Sequence, residues 1–247
     1  MKDGLTHLGL QFWNPTEDGK LKMVKRFGPI DESTVSEFRQ WGDANEVKIL
    51  LCVYNSTSSG WDWKLAKTAF STHQKKFIEA LVNETVRLKL DGVDIDFAGK
   101  GKLNEDKEAF VQFIKELSKA LRAENKELTV DSFAYKWNAP NQTWWQDLLP
   151  HIDGLHVMGY SETGKGASNW RSYKFIKIAA GKHSSKLLIG IPGNAYEWQG
   201  NSEKEHLQWI LEESSIGLAI WDAQLKETKW RDHSVWQIIA RINEGIK

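Results

Sequence analysis

Short apolar runs alternate with amphipathic stretches along the whole of this chain, and no other feature narrows its possible folds as much. Seven runs are strand-sized: 7–13, 47–54, 88–97, 128–135, 152–158, 186–192 and 216–221. Each is bounded by Gly, Pro, Asn or Asp, residues that end strands in turns. Helical periodicity is clear over 72–89, 105–124, 203–214 and 233–246, and weaker over 32–42 and 170–182. Strands apolar throughout and separated by helices must be buried on both faces, as a parallel sheet covered by helices is.

The chain has 247 residues, close to the roughly 250 of a (β/α)8 barrel. The expected fold is therefore α/β, a (β/α)8 TIM barrel forming one domain over 1–247. The eighth strand is not separately visible. It is expected near 61–71, unless 47–54 is the third strand and the second lies around 20–27. Asn104 is expected to cap the helix over 105–124, with Glu105 and Asp106 in its first turn.

Charge balances at 33 basic and 33 acidic residues, so no nucleic-acid or anionic-membrane partner is expected. No apolar run approaches the ~20 residues of a membrane span. The N-terminal MKDGLTHLGL lacks the apolar core of a secretory leader. A secreted or periplasmic protein with its leader removed is expected, with the cytoplasm as the alternative. The single cysteine, Cys52, lies in the run KILLCV and is expected to be a buried structural thiol. The sequons at Asn55, Asn83 and Asn141 are expected to be chance, and the seven histidines show no metal-ligand spacing.

Residues 91–98 read Asp-Gly-Val-Asp-Ile-Asp-Phe-Ala. On a strand, side chains two apart share a face, so Asp94, Asp96 and Ala98 point the same way. Acids stacked on a buried face are costly unless they share protons or bind something. A calcium loop would need polar residues between its ligands and a distal Glu. Val93, Ile95 and Phe97 argue against one, and no metal is expected.

This stretch resembles the Asp-x-x-Asp-x-Asp-x-Glu signature of the glycoside hydrolase family 18, the chitinase family. It matches at Asp91, Asp94 and Asp96 and departs at Ala98. Other segments are similar to the family's strands: LTHLGLQFWNPTEDGKL at 5–21, HVMGY at 156–160, LLIGIPGNAYEW at 187–198 and GLAIWDA at 217–223. The family's Ser-x-Gly-Gly is absent or remodelled in LLCVYNSTSSGW at 50–61. No segment before the last strand is long enough for the α+β insertion domain of many relatives, so the minimal barrel is expected.

The resemblance implies a retaining glycosidase in which the substrate's own acetamido group is the nucleophile. It implies that position 98, here Ala98, holds the proton donor. Asp96 orients the acetamide, Asp94 exchanges a proton beneath it, and Tyr160 donates to the acetamide oxygen. Trp221 forms the floor under the sugar at the cleavage point, and Met158, Phe12, Phe133 and Tyr135 line the walls. Asp91 is structural. Thirteen tryptophans suit stacking on sugar faces, Trp144 and Trp145 among the candidates, with packing as the equal alternative.

Because a methyl group donates no proton, the chain as written is expected to bind its sugar and scarcely cleave it. Retention of Asp94, Asp96 and Tyr160 favours an inactivating Glu-to-Ala substitution in a working enzyme over a natural sugar-binding relative. The expected substrate is chitin or an oligosaccharide of β-1,4-linked N-acetylglucosamine, with no cofactor and a monomeric state. The alternatives are an endo-β-N-acetylglucosaminidase acting on N-glycans, cleavage of peptidoglycan, and a non-catalytic chitinase-like lectin.

Overall fold

The computed structural model describes residues 4–24, 30–101, 103–134, 138–158, 175–192, 216–221 and 240. The chain divides into two compact units, Thr6–Asp153 and a second made of Met1–Leu5 with Gly154–Lys247.

In the first unit the order is β1 (His7–Pro15), β2 (Leu21–Met23), α1 (Glu32–Asn45), β3 (Lys48–Tyr54), β4 (Ser56–Thr57), β5 (Gly60–Trp61), α2 (Trp63–Lys67), α3 (Gln74–Arg87), β6 (Gly92–Asp96), β7 (Gly99–Lys100), α4 (Lys107–Ala123), β8 (Glu127–Ser132), β9 (Asn138–Ala139) and α5 (Trp145–Leu148). β1, β3, β6 and β8 pair in parallel, and β2 adds antiparallel to the outer side of β1. The second unit carries β10 (Gly154–Val157), β11 (Leu187–Pro192) and β12 (Gly217–Trp221), also parallel. Among the described residues, the seven parallel strands fall on the seven apolar runs. This is the α/β, TIM-barrel-like fold expected.

Local sequence explains the helices. Asp31 caps α1, accepting from Ser33 N at 3.0 Å and Thr34 N at 3.1 Å, and Thr34 Oγ1 accepts in return from Asp31 N. This reciprocal box satisfies amides that the first turn leaves open. Helix α4 buries Phe110, Phe113, Ile114, Leu117 and Leu121, one apolar stripe at helical spacing. The segment Thr68–Thr72 is a π-helical turn that carries Phe70 into the same core.

Several expectations fail for identifiable reasons. Within 61–71, Trp61 ends the antiparallel β4–β5 hairpin and the following residues form α2 and the π turn, and 21–23 is only a short antiparallel partner of β1, so neither supplies the eighth parallel strand. The strand expected from 88 begins at Gly92, because α3 runs to Arg87 and Lys89 turns the chain with φ 55°. Asn104 does not cap α4: it opens a 3-10 turn, and its Oδ1 accepts from Trp144 Nε1 at 3.2 Å. The helices expected at 203–214 and 233–246 lie outside the described residues but for 240, and of 170–182 only 175–180 is described as helix.

Candidate active site

Strand β6 is buried along its whole length, and its alternation is anchored from the helix side. Val93, Ile95 and Phe97 are fully buried there, with Phe97 stacked on Phe77 at 6.1 Å and Phe77 in turn on Phe113 at 5.7 Å. Burying such a side chain contributes roughly 1.5–3 kcal/mol. A one-residue slip would exchange these rings for carboxylates, so the pattern directs Asp94, Asp96 and Ala98 to the opposite face.

That face is built in layers across the parallel strands, as in barrel interiors. One layer is Gln11, Cys52, Asp94 and Thr129, read directly from the strand register. The next holds Tyr54 and Asp96, and pairing of Ile95 with Val130 puts Asp131 beside Asp96. Asp94 and Asp96 are each only 4% exposed. Thr129 Oγ1 donates to Asp94 Oδ1 at 2.5 Å, and Gln11 Nε2 donates to Asp96 Oδ2 at 2.5 Å. No hydrogen-bond donor among the described residues reaches Asp96 Oδ1. Burial holds the Asp96 carboxyl well above the usual carboxylate range, and the charges of Asp131 and Asp94 add to it against the opposing Gln11 bond. Burial likewise pushes the Cys52 thiol up, with the same acids contributing. Cys52 is thus a buried, neutral thiol.

Position 98 is clamped. Asn55, fully buried after β3, accepts from Ala98 N at 2.9 Å and donates from its amide to Ala98 O at 3.0 Å. The side chain continues, as an amide, the pairing that the β3 and β6 backbones have just ended. The following residue must be glycine for space: a Cβ on Gly99 would lie 2.5 Å from Leu103 Cδ1 and 2.7 Å from Trp63 Cε3. Beyond Asn55, the β4–β5 hairpin occupies the segment that takes the place of the family's Ser-x-Gly-Gly motif. It carries Trp61, 42% exposed, with its ring edge-on to Tyr54 at 6.5 Å.

The other expected site residues divide. Asp91 accepts from Arg39 and from Ile49 N at 2.7 Å, tying β6 to α1 and β3. Phe133 follows Asp131 at a spacing of two and its N–H donates to Pro140 O at 2.8 Å. Phe12 is not on the acid face. It is the extra residue of a bulge between Gln11 and Trp13, and its ring packs on Phe38 of α1 at 6.1 Å. The bulge also turns Trp13 to the helix side, where Nε1 donates to Glu84 Oε1 at 3.4 Å. Trp144 and Trp145 are fully buried and hydrogen-bonded, to Asn104 and to Ser132 Oγ at 2.7 Å, so they pack rather than stack on sugar. In the second unit, Met158 follows β10 half-buried and Trp221 ends β12 at 46% exposed. Tyr160 and Tyr135 lie outside the described residues. Of the sequons, Asn55 and Asn141 are buried with engaged side chains, and Asn83 is exposed on α3.

Gln11, Thr129, Asp131 and Asn55 were not singled out from the sequence. Gln11 and Asp131 had a signal: each is a polar residue inside an apolar run, the same cue that exposed Asp94 and Asp96. Asn55 had none, because its partner is backbone.

The sequence pattern of the family described as glycosyl hydrolases family 18 matches residues 1–239. No curated protein sequence matches the chain significantly. Solved structures similar in fold include a chitinase from Chromobacterium violaceum ATCC 12472, at 14% identity and TM-score 0.72, covering 98% of this chain and 92% of that one. The Group IV chitinase of Ostrinia furnacalis in complex with allosamidin gives 14% identity and TM-score 0.73, over 98% and 92%. The spore cortex-lytic enzyme SleL of Bacillus megaterium QM B1551 gives 15% identity and TM-score 0.74, over 100% and 68%. Among the described residues, no helix is long and apolar enough to cross a membrane.

Proposed function

Since the chain belongs to glycosyl hydrolases family 18, we propose that it is a chitinase-like glycosidase for β-1,4-linked N-acetylglucosamine polymers or oligomers, here in a form that binds its sugar without cleaving it. The observation that carries this is the acid face of β6: two buried carboxyls in successive layers, with a methyl group at the next step. We take the whole of 1–247 as one catalytic barrel domain, secreted or periplasmic, acting as a monomer and without a cofactor.

In this reading the substrate's acetamido oxygen attacks the anomeric carbon as the glycosidic C–O bond breaks. The departing oxygen needs a proton from residue 98, and water later opens the oxazolinium-like intermediate with retention. Asp96 accepts the acetamide N–H and offsets the developing positive charge. Asp94, one layer below and held by Thr129, exchanges a proton with Asp96 during the reaction. Tyr160 donates to the acetamide oxygen, Trp221 forms the apolar floor, and Met158, Phe133 and Tyr135 line the walls. Exposed Trp61, edge-on to Tyr54, adds a flat ring for stacking.

General acid catalysis contributes about 10²–10⁴-fold, and Ala98 supplies none of it. Ala98 is thus read as an inactivating replacement of Glu that leaves the binding groups in place. The test is Ala98→Glu assayed on chitin oligosaccharides. Hydrolysis with retention supports the reading. An Ala98→Glu protein that folds yet cleaves no N-acetylglucosamine substrate refutes it, as does a failure of the unaltered chain to bind such oligomers in titration calorimetry.

A further inference from the structure

We propose that Asp131 is the positioning residue of the acid face: Asp96 and Asp131 share one proton, which gives Asp96 a partner that does not depend on residue 98. Three observations carry it. The β6–β8 register sets the two side chains next to each other on one face. An oxygen of Asp131 also lies within 4.8 Å of one from Asp94, so Asp131 faces the other acid of β6 as well. Finally, Asp96 Oδ1 is buried and no donor among the described residues reaches it, whereas Oδ2 has Gln11.

A buried carboxylate oxygen without a donor is unfavourable, and more so when it is charged. Within this unit the Tyr54 hydroxyl shares the layer without reaching Asp96 Oδ1, and the Asp131 carboxyl can supply the donor when a proton lies between the two acids. The remaining groups of this unit facing the layer are Asp94 from β6, Cys52 and Tyr54 from β3, and the neutral Gln11 from β1. Like charges this close cannot all be ionised cheaply, so one proton for the pair is the low-energy state. Burial and the Asp131 carboxyl both favour protonated Asp96, in agreement with the geometry. The consequence is orientation. With Oδ2 on Gln11 and Oδ1 on the shared proton, Asp96 is fixed in the barrel wall in the pose that meets an acetamide N–H.

The shared proton stands on the geometry alone; only its effect on sugar binding rests on the function proposed above. The experiment follows aspartate carboxyl carbons by ¹³C NMR at neutral pH in the sugar-free protein. The wild type should show one protonated aspartate carboxyl. Asp131→Asn should abolish that signal, since an amide donates to Asp96 without a shared proton, and Asp96→Asn should abolish it too. No protonated carboxyl in the wild type, or one that survives Asp131→Asn, overturns the proposal. Calorimetry with the N-acetylglucosamine tetramer is the second readout. Asp131→Ala should weaken binding about tenfold, the effect of one charge-assisted bond, with Asp131→Asn restoring it. Equal affinity for wild type and Asp131→Ala counts against the positioning role. Absence of tetramer binding by every form, with the NMR result intact, refutes the sugar reading and leaves the shared proton standing.

Discussion

Replacing Asn55 by alanine tests how position 98 is held. The Asn55 side chain makes two hydrogen bonds, at 2.9 and 3.0 Å, to the N–H and C=O of one buried residue. Removing it strands a backbone donor and a backbone acceptor together. Each orphaned buried group costs about 1–3 kcal/mol. Water entering the vacated space recovers part of that, leaving a net loss of about 3 kcal/mol. For a chain of this size 1 kcal/mol moves Tm by about 2–4 °C, so Asn55→Ala should lower Tm by roughly 6–12 °C. Calorimetry and guanidinium unfolding should agree, with the denaturant slope unchanged. Asn55→Asp sharpens the test. Its carboxyl reproduces both bonds only when protonated, so its folded-state pKa is raised. Stability from such a group is fully present below the unfolded pKa and is lost as pH rises through the folded one. The deficit of Asn55→Asp should therefore shrink as pH falls, while that of Asn55→Ala should not. A Tm loss under about 2 °C for Asn55→Ala would refute the clamp, since even one stranded group should exceed it.

Two further outcomes test the surroundings. Gly99→Ala should cost about 1–3 kcal/mol in unfolding experiments, because its Cβ would press on Trp63 and Leu103, and tryptophan emission should shift as Trp63 yields. Glu127, held by His7 at 3.0 Å and by Lys48, has its carboxyl lowered to about 2. A lowered carboxyl contributes stability above its unfolded pKa, roughly 4.3, and loses it as pH falls through the folded value. Glu127→Gln and wild type should therefore converge in Tm between these limits, and a constant gap would show that the ion pairs do not act.

Much of the fold was legible because strand burial is written locally. All seven apolar runs became parallel strands, since a run of Val, Ile and Leu bounded by turn residues has few other ways to leave water. The alternation in DGVDIDF likewise told which side chains share a face, and Phe97 in the aromatic cluster shows why the reading held. Phe12 shows where such reading stops. A single inserted residue in β1 breaks the period of two, and no local cue marks it. Asn104 fails for a similar reason, as a distant indole outcompetes the helix end for its oxygen.

By itself, then, the chain determined its strands, its acid face and the methyl group at position 98, all consequences of periodicity and residue type. Only the tertiary structure decided which residues meet those acids. Gln11, Thr129 and Asp131 come from two other strands, and Asn55 reaches Ala98 across 43 positions of sequence. Those meetings depend on strand register, which is set by packing over the whole sheet and not by any one segment's preference.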